Sequence, residues 1–118
     1  MNIFINDNMF KCKVCVTPNS ITDGMKNKTF NMNFNGMFFI MPNKSQQSFW
    51  MYECITPLDI VMIDGDIITK IHHDCLPCEV ESSCEEYSGY GNYILELQGG
   101  TCHDSNIKEG DLISTTLY

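Results

Sequence analysis

The sequence predicts a mainly β fold, α+β at most. It reads as one compact domain over residues 1–118, a barrel-like or sandwich arrangement of about seven strands with one or two short helices. Three observations carry this expectation. Four apolar runs between Gly36 and Ile71 are broken by turn chemistry, as in tightly packed β structure. The chain has no alanine but 13 isoleucines and 11 asparagines, a composition that disfavours long surface helices. Two of the apolar runs flank Asp64-Gly65, a dipeptide suited to tight hairpin turns.

Cys12 to Thr17 alternates with a period of two, predicting a half-buried first strand with Cys12, Val14 and Val16 on one face. Thr17-Pro18 then reads as a helix start, threonine as N-cap and proline at the first helical position. Gly24 would close that helix in the left-handed conformation. Asn27 to Asn35 reads as a loop anchored by Phe30, Met32 and Phe34.

Met37 to Met41 is apolar on both faces and predicts a central strand. Pro42 to Gln47 reads as a polar loop and Ser48 to Glu53 as the next strand. Proline at 57 interrupts before the hairpin of Leu58–Ile63 and Asp66–His72. A two-residue Asp64-Gly65 loop sets Ile63 opposite Asp66, Met62 opposite Ile67, Val61 opposite Ile68, Asp59 opposite Lys70 and Leu58 opposite Ile71. Cys75 to Gly91 reads as a long loop. Tyr93 to Leu97 predicts a strand with Tyr93, Leu95 and Leu97 inward. Thr101 starts a helical turn, and Leu112 to Leu117 a closing strand.

Composition limits the function classes. Net charge is −8, from 15 acidic residues against 7 lysines and no arginine. Nucleic-acid binding draws on Lys and Arg to neutralise phosphates, so no nucleic-acid partner is expected. No segment reaches the roughly 18 apolar residues that span a bilayer, and no membrane partner is expected. The N-terminus lacks the basic region of a signal peptide. A cytoplasmic or virion-associated protein is the resulting expectation, the Ile- and Asn-rich composition suiting an AT-rich viral or phage genome.

With these words placed, the chain resembles the DUF192 (domain of unknown function 192) family over nearly its whole length. The resemblance rests on a Val-containing strand ending at Thr17, then Gly24 and Lys28 where relatives carry Gly-Leu-Met-x-Arg. Gly36-Met37-Phe38-Phe39 stands for Gly-Met-Leu-Phe, and Phe49-Trp50-Met51 is followed by Pro57-Leu58-Asp59. Tyr93-Ile94-Leu95-Glu96 stands for Tyr-Val-Leu-Glu, and Gly100 and Ile107-x-x-Gly110-Asp111 close the series. Lys28 in place of arginine loses any bidentate guanidinium role. The resemblance implies a compact, mainly β fold and no particular reaction.

Seven cysteines include Cys12-x-x-Cys15 and Cys75-x-x-Cys78, too far apart for a zinc ribbon. Three readings compete for the 75–84 segment: a Cys78–Cys84 disulfide, unpaired thiols, or zinc held by Cys75, Cys78 and Cys84 with His73 or His72. The family's habit of placing a cysteine after the proline and another before a tyrosine favours the disulfide, and no bound metal is expected. The surrounding carboxylates of Asp74, Glu79, Glu81, Glu85 and Glu86 would hold a thiol protonated and count against a Cys–His nucleophile.

No catalytic or cofactor-binding motif occurs, so no catalytic residue and no cofactor is assigned. The leading expectation is a non-enzymatic binding or assembly module, with a protein partner or self-association. The alternative is a small-molecule-binding protein or enzyme whose pocket lies near Trp50, Tyr52, Asp59 and Lys28. The first requires a contiguous exposed apolar patch, the second a concave pocket with convergent polar groups.

Overall fold

The computed structural model describes residues 1–116. Seven strands form one sheet in the order β5-β4-β6-β3-β2-β1-β7. They are β1 (Asn2–Ile5), β2 (Asn8–Cys15), β3 (Gly36–Trp50), β4 (Leu58–Asp64), β5 (Ile67–Cys75), β6 (Glu86–Gln98) and β7 (Ile113–Thr116). The sheet curls until its outer strands approach each other. Ile67 bridges Leu112, and the Ile113 N–H donates to the Asp66 carbonyl at 2.8 Å. The result is a partly open barrel with two short helices, α1 (Pro18–Asp23) and α2 (Thr101–Asp104). No described helix is long and apolar enough to cross a membrane.

Period-two alternation sorts the side chains into two cores. Phe38, Val61, Ile63, Leu95 and Leu97 fill the barrel interior with Ile3, Ile5 and Phe10, and Cys102 and Ile107 close one end. Met37, Phe39, Leu58, Ile60, Met62 and Ile94 point outward into a second core, completed by Met25, Phe34, Met51 and Cys54. That second layer exists because β2 and β3 are parallel neighbours and need a long crossover. Residues 16–35, with α1, make the crossover and cover the outer face.

Several expectations shift. Residues 2–15 form a hairpin, β1 and β2, turning through Asn6 at φ 55°. The predicted strands at 37–41 and 48–53 are parts of β3, whose residues between Ile40 and Ser45 form an irregularity opposite β6. Pro42 is tolerated there because no ladder bond is required of it. Tyr52 lies beyond β3, in a bridge to Cys78. The predicted 75–91 loop ends at Glu85, because β6 begins five residues before Gly91 and pairs with the far half of β3. Val14 and Val16 are exposed, and Met32 is 95% exposed rather than an anchor. Leu117, predicted in the closing strand, lies outside the described residues.

The β4–β5 register also differs from expectation. Asp64 pairs with Ile67 and Ile63 with Ile68, so the loop is Gly65-Asp66. Gly65 carries φ 65° while Asp66 does not have a positive φ, the pattern of a II′ rather than a I′ turn. Further irregularities then set Val61 opposite Ile71 and Leu58 opposite Cys75. Asp59 therefore never faces Lys70, which instead lies 4.0 Å from Glu109.

The caps follow local chemistry. Thr17 caps α1 in a reciprocal box with Ser20, with Pro18 at its first position. Gly24 ends it at φ 45°, ψ −129°, positive in φ but not the left-handed helical conformation.

Candidate functional site

A concave pocket of about 240 Å³ opens on the outer face, between β3, β6 and the crossover. Phe39, Met41, Phe49 and Trp50 of β3 form one wall. The end of α1, Met25 and Lys26 form another, and Tyr52 and Cys54 complete the rim. The rim segments are tied together: Lys26 bridges Cys54, and the Asn27 N–H donates to the Glu53 carbonyl at 2.9 Å. The Trp50 and Tyr52 rings lie 5.2 Å apart, and Phe39 meets Phe49 edge-on at 4.9 Å.

Glu96 of β6 lines this pocket and is 3% exposed. Its strand neighbours are Met37 on β3 and Ile60 on β4, so its carboxyl sits in an apolar row. No described residue donates a hydrogen bond to it, and burial alone pushes its pKa up to about 8. The cause is desolvation, which disfavours the ionised form. No buried side-chain oxygen or nitrogen is left without both a partner and access to open space, so the acid's polar end reaches the pocket.

The surrounding charges are engaged elsewhere. Lys26 Nζ lies 3.6 Å from Glu53 Oε1 and 5.6 Å from the Tyr52 ring centroid. Lys28 Nζ lies 3.3 Å from Asp23 Oδ2. Burial pushes the Cys54 thiol up to about 11, with Glu96 adding to the rise and Lys26 and Lys28 opposing it. Burial raises Cys15 too, again with Glu96 next in importance. These are protonated, unreactive thiols.

The pocket residues expected from sequence divide. Trp50 and Tyr52 line the pocket. Lys28 does not, and its neighbour Lys26 does. Asp59 is a correction of a different kind, because it serves the fold. Fully buried, it accepts hydrogen bonds from Asp74 N–H at 2.8 Å, Gly100 N–H at 3.2 Å and Cys102 N–H at 2.8 Å. It thereby fastens α2 and the end of β5 to β4.

Sequence reasoning missed Glu96. The available signal was its parity: it alternates with Leu95 and Leu97, which face the interior, and so belongs to the outer face. Alternation alone does not show that the face is covered, since the crossover that covers it is a tertiary feature.

The cysteine-rich segment is equally definite. Cys78 and Cys84 are bonded to each other. Cys75 is buried, points its thiol at the His72 carbonyl at 3.5 Å, and is pushed up to about 12 by burial and then by Asp59. His73 lines a separate hollow with Cys102 and His103. Among the described residues no three His, Cys, Asp or Glu side chains converge to hold a metal ion.

Comparison with known proteins decides the lineage. The DUF192 profile, described as "Uncharacterized ACR", matches residues 1–115. The chain belongs to the DUF192 family. No curated protein is a significant match. Two crystal structures share the fold. A protein of unknown function from Novosphingobium aromaticivorans DSM 12444 is 22% identical with a TM-score of 0.84, over 97% of this chain and 84% of that one. A protein from Sinorhizobium meliloti 1021, described as a candidate transcription regulator, is 21% identical with a TM-score of 0.83, over 96% and 89% of the two chains. Three of the words that carry this chain's DUF192 resemblance supply pocket residues: Gly24, Phe49-Trp50 and Glu96.

Proposed function

We propose that this DUF192 protein binds a small molecule in the pocket floored by Glu96. One observation supports the reading above others: a carboxyl group buried among apolar residues, without a hydrogen bond from any described residue, at the wall of an aromatic-lined hollow. Burying a polar group without a partner is costly, so folds rarely keep one that does nothing. Apolar walls with a few convergent polar groups are the general form of a ligand site, and this volume, below the roughly 300–1,000 Å³ usual for drug-sized ligands, fits a fragment-sized one.

Binding is favoured over catalysis. An acid with a pKa near 8 suits proton transfer, yet the thiol on the lining, Cys54, is held protonated by burial. The assembly reading would draw on exposed apolar side chains such as Val16, Ile55, Leu76 and Val80. A fragment screen by NMR tests the proposal. Binders are expected to perturb Trp50, Met25 and Glu96 signals and to lose affinity in a Ser48→Phe variant, which fills the pocket from an exposed position. A screen whose binders leave these signals unmoved would overturn it.

A further inference from the structure

Resting on that reading, we infer that the ligand is a small organic cation, a primary amine carried on an apolar or aromatic body, whose ammonium group pairs with Glu96.

The pocket's charges select this class. Asp23, Lys26 and Glu96 are its charged lining residues. Lys26 is paired with Glu53, and Lys28, just outside, with Asp23. Of the two lining carboxyl groups, Glu96 is the one without a partner among the described residues. An anionic ligand would have to displace one of these ion pairs and sit against a buried acid. A cation instead supplies the donor that Glu96 lacks, and it passes the Trp50 and Tyr52 ring faces, which attract positive charge. The chain's net charge of −8 steers in the same direction. The apolar body then lies on Phe39, Phe49 and Met25.

Pairing has a proton cost that makes the inference measurable. Glu96 must ionise before it can hold an ammonium group, and burial keeps it protonated in the free protein near neutral pH. The groups facing it are Cys15 from β2, Cys54 and Lys26 on the rim, Asp23 at the end of α1, and Cys75 at the end of β5. Burial raises all three thiols, so they stay protonated across the range. Cation binding is therefore linked to loss of one proton, and affinity rises with pH up to the region of the Glu96 pKa.

Benzylamine, benzyl alcohol and benzoate are matched probes of the three charge classes. NMR titrations from pH 6 to 8, following Trp50, measure all three on the wild type and on Glu96→Gln, an isosteric change that keeps the pocket's shape. Benzylamine is expected to bind best, to gain roughly tenfold in affinity per pH unit below the Glu96 pKa, and to lose at least tenfold in Glu96→Gln. Benzyl alcohol should show neither effect. If benzyl alcohol or benzoate binds as tightly as benzylamine at pH 8, or if benzylamine affinity is flat with pH, the cation inference fails while the pocket reading stands. If none of the three perturbs Trp50, both fail.

Discussion

Replacing Glu96 with glutamine should change how the protein's stability depends on pH. The ordinary carboxyl value of 4.5 applies to the unfolded chain, and burial raises the folded value to about 8. Below pH 4.5 both states hold the proton, so the group contributes no pH dependence. Between the two values the unfolded chain ionises while the folded protein keeps its proton, so stability falls as pH rises. Above about 8 the folded state ionises as well and the loss levels off. At about 1.4 kcal/mol per unit of pKa difference, wild-type stability should fall by about 2–3 kcal/mol between pH 5 and pH 7 from this group alone.

The glutamine variant has no such titration. Its melting temperature should match the wild type near pH 5 and exceed it increasingly towards pH 8. The gap at pH 7 is on the order of 10 °C, taking about 4 °C per kcal/mol for a domain of this size. Thermal melts by circular dichroism at pH 5, 6, 7 and 8 measure it. The three histidines and the other carboxylates are common to both proteins, so the difference between the curves isolates Glu96. A difference that stays constant from pH 5 to 8 would refute the reasoning, because Glu96 would then have an ordinary pKa and a solvated or hidden partner.

Three other outcomes are expected. Asp59→Ala strips three backbone N–H donors of their acceptor and should cost about 3–5 kcal/mol in denaturant unfolding, with Asp59→Asn intermediate; a loss under 1 kcal/mol would show that α2 is held by packing alone. Gly91→Ala drives a Cβ into the Ile63 carbonyl of the neighbouring strand and should cost at least ~2 kcal/mol, whereas Gly65→Ala, which meets open space but keeps a positive φ, should cost about 1; the reverse order in thermal melts would contradict the packing described. Replacing Cys78 and Cys84 by serine should cost roughly 2 kcal/mol by releasing a short loop in the unfolded chain. Thiol titration of the unreduced wild type should find five free cysteines, reactive only after denaturation.

The parts legible in the sequence were those set by local chemistry. The α1 cap is written in Thr17-Pro18 and Ser20, and inward-facing Leu95 and Leu97 follow from simple alternation. The parts that were not legible depend on neighbours distant in sequence. The Asp64-Gly65 signal located a turn between β4 and β5, but β4 is central and buried on both faces, so matching apolar pairs could not fix its register. The register is decided by β6 on its other side and by Asp59, which needs the N–H groups of Gly100 and Cys102 within reach. Pro42 looked like a strand break because its tolerance depends on the irregularity opposite β6.

Asp59 and Glu96 show why a buried carboxyl cannot be assigned a role from its sequence context. Both lie on central strands of the same sheet and both are shielded from solvent. They differ in the face they occupy. Asp59 accepts from two N–H groups of the turn into α2, Gly100 and Cys102, and from one at the end of β5, Asp74, so its hydrogen-bonding capacity is used in holding the fold. Glu96 points to the outer face, where Met25 of the crossover, Phe39 and Phe49 of β3 and Tyr52 supply walls but no described group donates to it. Its hydrogen-bonding capacity is unspent, and the open space beside it is the place where it can be used. The fold thus uses Asp59 to hold three backbone N–H groups, while no described residue donates to Glu96. That asymmetry is why substitution of Asp59 should weaken the fold, whereas substitution of Glu96 should strengthen it near neutral pH while weakening the pocket's hold on a cation.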